Sequence, residues 1–219
     1  MRTATRPQAI VFDLDGTLVD TVDARIEAWQ AAFAEHGLEV PRARLEPMIG
    51  MDGRRLAAEV TGNEIGADAI DRRAGALFDE RNRDPRPLPG ARETLGRLDA
   101  AGVTWAIATS SRPEQVAASV AALQLERRPR IVDGSAVEHA KPAPDLLLLA
   151  ARQLGAEPEA CWYVGDSTWD MRAAVAAGMR AIGVTAGAAV GEGELRAAGA
   201  EVVVGTLDEL ELPERADAA

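Results

Sequence analysis

The chain has 219 residues, which is enough for one domain or for one domain with a modest insertion. Its 24 lysines and arginines face 35 aspartates and glutamates, and the net charge of −11 argues against nucleic-acid or anionic-lipid partners. The single cysteine, Cys161, excludes an internal disulfide and any multi-cysteine metal site. Because no segment is apolar enough to act as a secretion signal or to span a bilayer, we expect a soluble cytoplasmic protein.

The first predicted element is a buried strand over residues 8–12, which stops at an acidic sequence, Asp-Leu-Asp-Gly. A helix is predicted over 23–35, where apolar residues recur at helical spacing. A helical pattern without a convincing strand continues over 41–83. Three prolines within 84–90 predict a hinge or boundary rather than a helix or strand.

After residue 90 the pattern alternates between strands and helices. Strands are predicted over 103–108, 130–132, 161–164, 181–184 and 201–204, and helices over 91–100, 114–123, 144–154, 170–177 and 192–198. Such alternation is typical of βαβ units, so the sequence predicts an α/β protein with a doubly wound parallel sheet. Residues 21–84 then form a small all-helical domain inserted after the first strand, and residues 1–20 with 85–219 form the core domain.

Two acidic residues, Asp13 and Asp15, follow the first predicted strand. Ligands of open α/β sheets bind beyond the carboxyl ends of the strands, so residues there are candidate site residues. Two carboxylates this close in the chain need a cation or a shared proton, and hard oxygen ligands suit Mg²⁺. The alternative is a solvated turn or a helix N-cap.

Three later connections also carry polar residues. Thr109 and Ser110 precede a helix N-terminus, where hydroxyl and N–H groups bind phosphate, although they could simply cap the helix. Lys141, held in a proline-rich loop, is placed as a point charge for phosphate; taken alone it would be an ordinary surface lysine. Asp166 and Asp170 fit a metal ligand with a supporting carboxylate, or again a cap.

The order of these residues resembles the haloacid dehalogenase-like hydrolase superfamily, whose members are mostly Mg²⁺-dependent phosphatases. The resemblance lies in DLDGT after the first strand, Thr109, Lys141 within KPAPD, and the sequence GDSTWD. The helical insertion is similar to the small cap domain of that superfamily. The pattern looks like the subfamily of phosphoglycolate phosphatases and β-phosphoglucomutases.

This resemblance implies that Asp13 is the nucleophile that forms an aspartyl-phosphate, and that Asp15 is the general acid and then the general base. It implies a Mg²⁺ cofactor bound by Asp13, the backbone carbonyl of Asp15 and Asp166, with Asp170 orienting the metal site or the lysine. The phosphoryl oxygens would be bound by Thr109, Ser110 and Lys141.

Asp15 points to a phosphatase or phosphomutase, because a leaving alkoxide needs a proton and a leaving halide does not. The first hypothesis is a phosphatase acting on a small, phosphoglycolate-like phosphomonoester. The alternatives are a β-phosphoglucomutase-like sugar phosphomutase and a non-catalytic binding module. Partners other than the small phosphate ester are not expected, apart from a second copy in a homodimer if the protein is not a monomer.

The inserted helices should select the substrate. The candidate residues are Arg25 and Trp29, which share one helix face, together with Arg54. An arginine there would suit a carboxylate or a second phosphate. The alternative for Trp29 is a place in the core of the insertion, and for the arginines a solvated face.

Overall fold

The computed structural model describes residues 6–211, so the ends of the predicted core ranges, 1–5 and 212–219, lie outside the described residues. The described strands are β1 (Ala9–Phe12), β2 (Val19–Asp20), β3 (Arg86–Pro87), β4 (Thr104–Ala108), β5 (Ile131–Val132), β6 (Cys161–Gly165), β7 (Arg180–Val184) and β8 (Val202–Val204). The described α-helices are α1 (Val22–Ala34), α2 (Arg42–Leu45), α3 (Gly53–Thr61), α4 (Ala67–Arg81), α5 (Ala91–Ala100), α6 (Pro113–Ala122), α7 (Asp145–Leu154), α8 (Thr168–Ala176) and α9 (Glu192–Ala197).

Six strands form one parallel sheet in the order β5-β4-β1-β6-β7-β8, which confirms the predicted doubly wound α/β fold. Helices cover both faces of the sheet. Since side chains alternate between the two faces of a strand, each strand packs against both layers of helices. In β1, Ile10 and Phe12 pack into a core with residues of α5 and α6. Ala9 and Val11 point to the opposite face and pack into a core with residues of α7, α8 and α9.

A short antiparallel ribbon joins the two places where the chain passes between the sheet and the helical insertion. Val19 pairs with Pro87 and Asp20 with Arg86, so the prediction of no regular element within 84–90 was wrong. A proline is tolerated in such a ribbon because an edge strand leaves one side of its backbone unpaired. The pairing depends on two segments more than sixty residues apart, which local sequence patterns do not reveal.

Helices α1 to α4 pack on one another around a separate apolar cluster, and the helical pattern predicted for 41–83 is confirmed. The largest fully buried side chains of this cluster include Phe33 and Phe78, and Trp29 stacks on Phe33 with 5.6 Å between ring centroids. Trp169 of α8 also belongs to it and donates a hydrogen bond to the carbonyl of Pro47. The helical insertion thus contacts the sheet region beside the GDSTWD sequence.

Within residues 6–211, the longest helices fall short of the length and apolar character that crossing a bilayer requires.

The sheet face covered by α7 gives a test of the packing. Leu147 is fully buried there, so Leu147→Ala should lower the free energy of unfolding by about 2–5 kcal/mol through lost burial and a residual cavity. Leu38→Ala, at a partly exposed position, is the control and should change it by less than about 0.5 kcal/mol. Urea unfolding followed by circular dichroism measures both. Equal effects of the two substitutions would contradict this packing.

Candidate active site

The order of the sheet brings the predicted site residues to one edge. Strands β4, β1 and β6 are neighbours, and all run in the same direction. Asp13 follows β1, Thr109 follows β4 and Asp166 follows β6 at the carboxyl end of each strand. Lys141 reaches the same place from the connection between β5 and α7. Residues more than 150 positions apart therefore line one site.

Lys141 lies at the centre of this site. Its Nζ donates hydrogen bonds to Oδ1 of Asp13 at 2.6 Å and to Oδ1 of Asp170 at 2.7 Å, and its side chain is 1% exposed. Burial by itself lowers the pKa of Lys141, but the charges of Asp13 and Asp170 outweigh burial and raise the pKa. The lysine is therefore held as an ammonium ion.

Asp170 is fully engaged by hydrogen bonds. Besides Lys141, its Oδ1 accepts from the hydroxyl of Tyr163 at 2.9 Å. Its Oδ2 accepts from the backbone N–H and the hydroxyl of Ser167, at 3.0 and 2.6 Å, in the capping box that begins α8. Both oxygens are thus occupied, which suits a residue that positions Lys141.

Three buried carboxylates, Asp13, Asp166 and Asp170, have oxygens within 4.8 Å of one another. Burial raises the pKa of Asp13 to about 7, against the opposing effect of Lys141. Burial, followed by the charge of Asp170, raises the pKa of Asp166 well above its usual value. One buried ammonium does not balance three buried carboxylates, and these hard oxygen donors fit a divalent cation such as Mg²⁺. Because the oxygens of Asp170 are occupied, Asp13 and Asp166 are the residues that could bind it.

Asp166 is held in place by the sequence that follows β1. Oδ1 of Asp166 accepts a hydrogen bond from Thr17 at 2.9 Å, and Thr17 is fully buried. Gly16 has a φ of +83°, and a Cβ there would lie 2.3 Å from Oδ2 of Asp166. A glycine is needed at this position both for the left-handed backbone and for the close approach of the carboxylate.

The carboxylate of Asp15 lies outside this cluster and faces the helical insertion. Its Oδ1 accepts from the hydroxyl of Thr21 at 2.9 Å. Its Oδ2 accepts from Ser111 at 2.5 Å and from the guanidinium of Arg25 at 3.0 Å. Asp15 is therefore a partly exposed carboxylate surrounded by donors at the edge of the cavity.

The connection after β4 offers polar groups to the same cavity. Oγ1 of Thr109 accepts a hydrogen bond from the backbone N–H of Ser111 at 3.1 Å. The hydroxyl of Ser110 is buried, lines the cavity, and has no hydrogen-bond partner among residues 6–211. A buried hydroxyl without a partner is costly, and a bound anion would supply the missing hydrogen bond.

The cavity has a volume of about 520 Å³ and lies between the carboxyl edge of the sheet and the helical insertion. Of the predicted substrate residues, Arg25 and Trp29 line it. Arg25 contacts Asp15 and Ser111 and lies over the ring of Phe78. Arg54 is exposed and is not among the lining residues, so the structure does not bring it to the site.

Several residues that contact the site were missed by the sequence reasoning. Thr17 and Ser167 lie inside the two acidic motifs, so their spacing to the aspartates was an available signal. Tyr163 on β6 and Asp71 on α4 carried no signal in the linear pattern. Arg112, at the beginning of α6, forms an ion pair with Asp71, and both residues line the cavity.

Comparison with known proteins matches the chain to one hydrolase family and to relatives named as phosphatases. A model of the haloacid dehalogenase-like hydrolase family matches residues 10–184. The probable phosphatase IndB of Dickeya dadantii is 36% identical over 213 residues, which cover 92% of this chain and 90% of the relative. Phosphoglycolate phosphatase 1 of Pseudomonas aeruginosa is 36% identical over 197 residues, covering 84% of this chain and 72% of the relative.

Solved structures share the fold. The crystal structure of a hydrolase from Pseudomonas syringae has a TM-score of 0.86 and 32% identity, and covers 91% of this chain and 94% of its own. A β-phosphoglucomutase from Clostridium difficile has a TM-score of 0.81 and covers 94% of this chain and 93% of its own. At 19% identity, the mutase shows a common fold alone.

Gly16→Ala tests the close approach of Asp166. The left-handed backbone costs an alanine about 1–2 kcal/mol of stability, and the new methyl group displaces the Asp166 carboxylate, so turnover should fall strongly. Gly37→Ala is the matched control, because Gly37 has a φ of +73° and no atom of the described residues lies within 4 Å of its Cβ position. It should lose only the cost of the left-handed backbone, about 1–2 kcal/mol, and keep its turnover. Gly16→Ala, whose methyl group would also lie 2.8 Å from Cγ2 of Val22, should lose at least that much stability. Urea unfolding and steady-state kinetics separate the two effects, and equal turnover of the two variants would contradict the role given to Gly16.

Proposed function

The chain belongs to the haloacid dehalogenase-like hydrolase family and is a phosphatase. We propose that it hydrolyses small phosphomonoesters by phosphoryl transfer to Asp13 in the presence of Mg²⁺. The observation that carries the proposal is the ion pair of Asp13 and Lys141, two buried residues that both line the cavity. Lys141 occupies Oδ1 of Asp13, and Oδ2 accepts no hydrogen bond from residues 6–211. One carboxylate oxygen is thus available to attack phosphorus.

In the first step, an oxygen of Asp13 forms a bond to phosphorus as the bond to the leaving oxygen breaks, which gives an aspartyl-phosphate. The substrate's negative oxygens would be bound by the ammonium of Lys141, the unpartnered hydroxyl of Ser110 and the hydroxyl of Thr109. In the second step, water attacks phosphorus and the Asp13 carboxylate is regenerated.

Asp15 is the proposed proton carrier for both steps. It lines the cavity beside Asp13, and a carboxyl group there can protonate the leaving alkoxide and then accept a proton from the attacking water. Ser111, Thr21 and Arg25 orient the carboxylate through the hydrogen bonds described above. Arg25 is therefore proposed as a positioning residue for Asp15 rather than as a direct ligand of the substrate.

Asp13 and Asp166 are the proposed side-chain ligands of Mg²⁺, together with the backbone carbonyl of Asp15. When bound, the ion supplies positive charge that offsets the charges of the carboxylates and the phosphoryl group. Asp170 positions Lys141 and contributes no ligand in this proposal, since both of its oxygens accept hydrogen bonds.

We propose further that residues 21–84 act as a cap that excludes water and supplies the wall around the leaving group. The contact of Arg25 with Asp15 and the contact of Trp169 with Pro47 support a cap that packs directly on the site. A cytoplasmic location and a monomeric or homodimeric state stay predictions from the sequence. Phosphoglycolate is the first substrate to test, because the Pseudomonas aeruginosa relative carries that name.

The proposed function is tested by a panel of phosphate monoesters, assayed for free phosphate with Mg²⁺ and after chelation. Asp13→Asn should reduce turnover by at least about a thousandfold because it removes the nucleophile. Asp20→Asn, an exposed position on β2, is the control and should keep wild-type turnover. Normal turnover in Asp13→Asn would reject the nucleophile, and phosphate release that required a sugar-bisphosphate primer would favour the mutase.

Asp15→Asn tests proton transfer to the leaving group. We expect turnover of alkyl phosphates to fall by about 10²–10⁴-fold, because an alkoxide leaves slowly without a proton. The first step with p-nitrophenyl phosphate should fall much less, since p-nitrophenolate leaves unprotonated. Rapid-mixing measurements of the p-nitrophenol burst isolate that step. Equal losses for both esters would show that Asp15 has another role.

A further inference from the structure

Besides the proposed phosphoryl-binding residues, the cavity has a polar wall formed by Asp52, Asp71, Arg112 and Gln115, which combines groups of the helical insertion and the sheet region. Asp71 of α4 and Arg112 at the beginning of α6 form an ion pair that joins the helical insertion to the sheet region, and both residues line the cavity. Asp52 lines this wall at the beginning of α3, and the side chain of the buried Gln115 accepts a hydrogen bond from the backbone N–H of Arg112. These side chains surround the space that a leaving group would occupy in the proposed reaction.

Every cation that lines the cavity within residues 6–211 is already paired with a carboxylate. Lys141 binds Asp13, and Arg25 binds Asp15. The third lining cation is Arg112, which binds Asp71.

The carboxylate of Asp52 accepts a hydrogen bond from a backbone N–H at the beginning of α3 and adds negative charge to this wall. Burial raises the pKa of Asp71, Arg112 lowers it, and the nearby charge of Asp52 raises it again. A carboxylate on the leaving group of a substrate would meet this negative wall, and no unpaired cation among the described lining residues could receive it.

The backbone of the helical insertion leaves room for the carboxylate of Asp71. A Cβ on Gly53 would lie 2.0 Å from Oδ1 of Asp71, so the absence of a side chain at position 53 makes room for the Asp71 carboxylate. The ion pair offers oxygen acceptors on one side and guanidinium N–H donors on the other. Hydroxyl groups, which both donate and accept, match that arrangement.

The size of the cavity agrees with a leaving group larger than two carbons. Its volume of about 520 Å³ falls within the range of about 300–1,000 Å³ of pockets that enclose drug-sized ligands. Its apolar lining includes Trp29, Met51 and Leu56, which can pack against the carbon face of a polyol or sugar.

We propose that Asp71 and Arg112 form a leaving-group subsite that selects neutral, hydroxyl-bearing phosphomonoesters over those that carry a carboxylate. This inference rests on the proposed phosphatase function and names the substrate class of that site. We therefore expect the enzyme to be less active on phosphoglycolate than on a polyol phosphate or a sugar phosphate.

Two nearly isosteric esters provide the test. Glycerol 3-phosphate and 3-phosphoglycerate differ by a hydroxymethyl group in place of a carboxylate, so their ratio of kcat/KM reports discrimination at the leaving group. The wild-type enzyme should prefer glycerol 3-phosphate at least tenfold. Ribose 5-phosphate has a larger, neutral leaving group, and its kcat/KM should also exceed that of phosphoglycolate.

Substitutions of the two residues should move this ratio in opposite directions. Asp71→Asn removes negative charge and frees Arg112, so the preference for glycerol 3-phosphate should fall at least fivefold. Arg112→Gln leaves Asp71 unpaired and should increase the preference. Asp68→Asn, in an exposed ion pair with Arg72 on the same helix, is the control and should keep the wild-type ratio. Because the two variants act in opposite senses, loss of folding in one leaves the other informative.

A wild-type ratio at or below one, or a ratio that neither variant changes, would overturn the subsite. Hydrolysis of p-nitrophenyl phosphate by the wild-type enzyme and not by Asp13→Asn would support the proposed function. With that outcome, an unfavourable ratio of kcat/KM would reject the subsite alone. If wild-type enzyme releases phosphate from none of the esters, the proposed function fails and the subsite fails with it.

Discussion

The buried ion pair of Lys141 with Asp13 and Asp170 is the interaction on which the rest of the site depends. A buried carboxylate or ammonium is stable only if charges and hydrogen bonds around it replace water. Tyr163 and Ser167 satisfy the oxygens of Asp170, which fixes Lys141 between the ends of neighbouring strands. The negative charge that remains is the basis for the proposal that a divalent cation and a phosphoryl group bind together at this edge of the sheet.

That requirement also explains how a protein with a net charge of −11 can act on anions. The buried carboxylates could hold a divalent cation, and in the proposed function the positive charges of that cation and of Lys141 attract the phosphoryl group at short range. The helical insertion adds a second, separate set of charges. Arg25 contacts Asp15, and Arg112 contacts Asp71, so both arginines are used to organise carboxylates in the wall of the cavity.

Much of the architecture followed from local patterns. Alternating strands and helices after residue 90, and acidic or hydroxyl residues where strands stop, were sufficient to predict the parallel sheet and to place Asp13, Thr109 and Asp166 at one edge. The ribbon of β2 and β3 was missed because its pairing is long-range. Arg54 illustrates another limit, since the presence of an arginine in the helical insertion does not indicate whether its side chain lies at the cavity or in solvent.

The sequence by itself determined the strands of the main sheet, the helices, the sheet class and the residue types at the strand ends, because side-chain periodicity and turn chemistry act over a few neighbouring residues. Only the tertiary structure decided which charges meet. It paired Arg25 with Asp15 instead of leaving it free for substrate, and it placed Asp71 against Arg112. The reason is physical: an ion pair depends on distances of a few ångströms between side chains, and those distances are set by how helices pack on the sheet rather than by spacing along the chain.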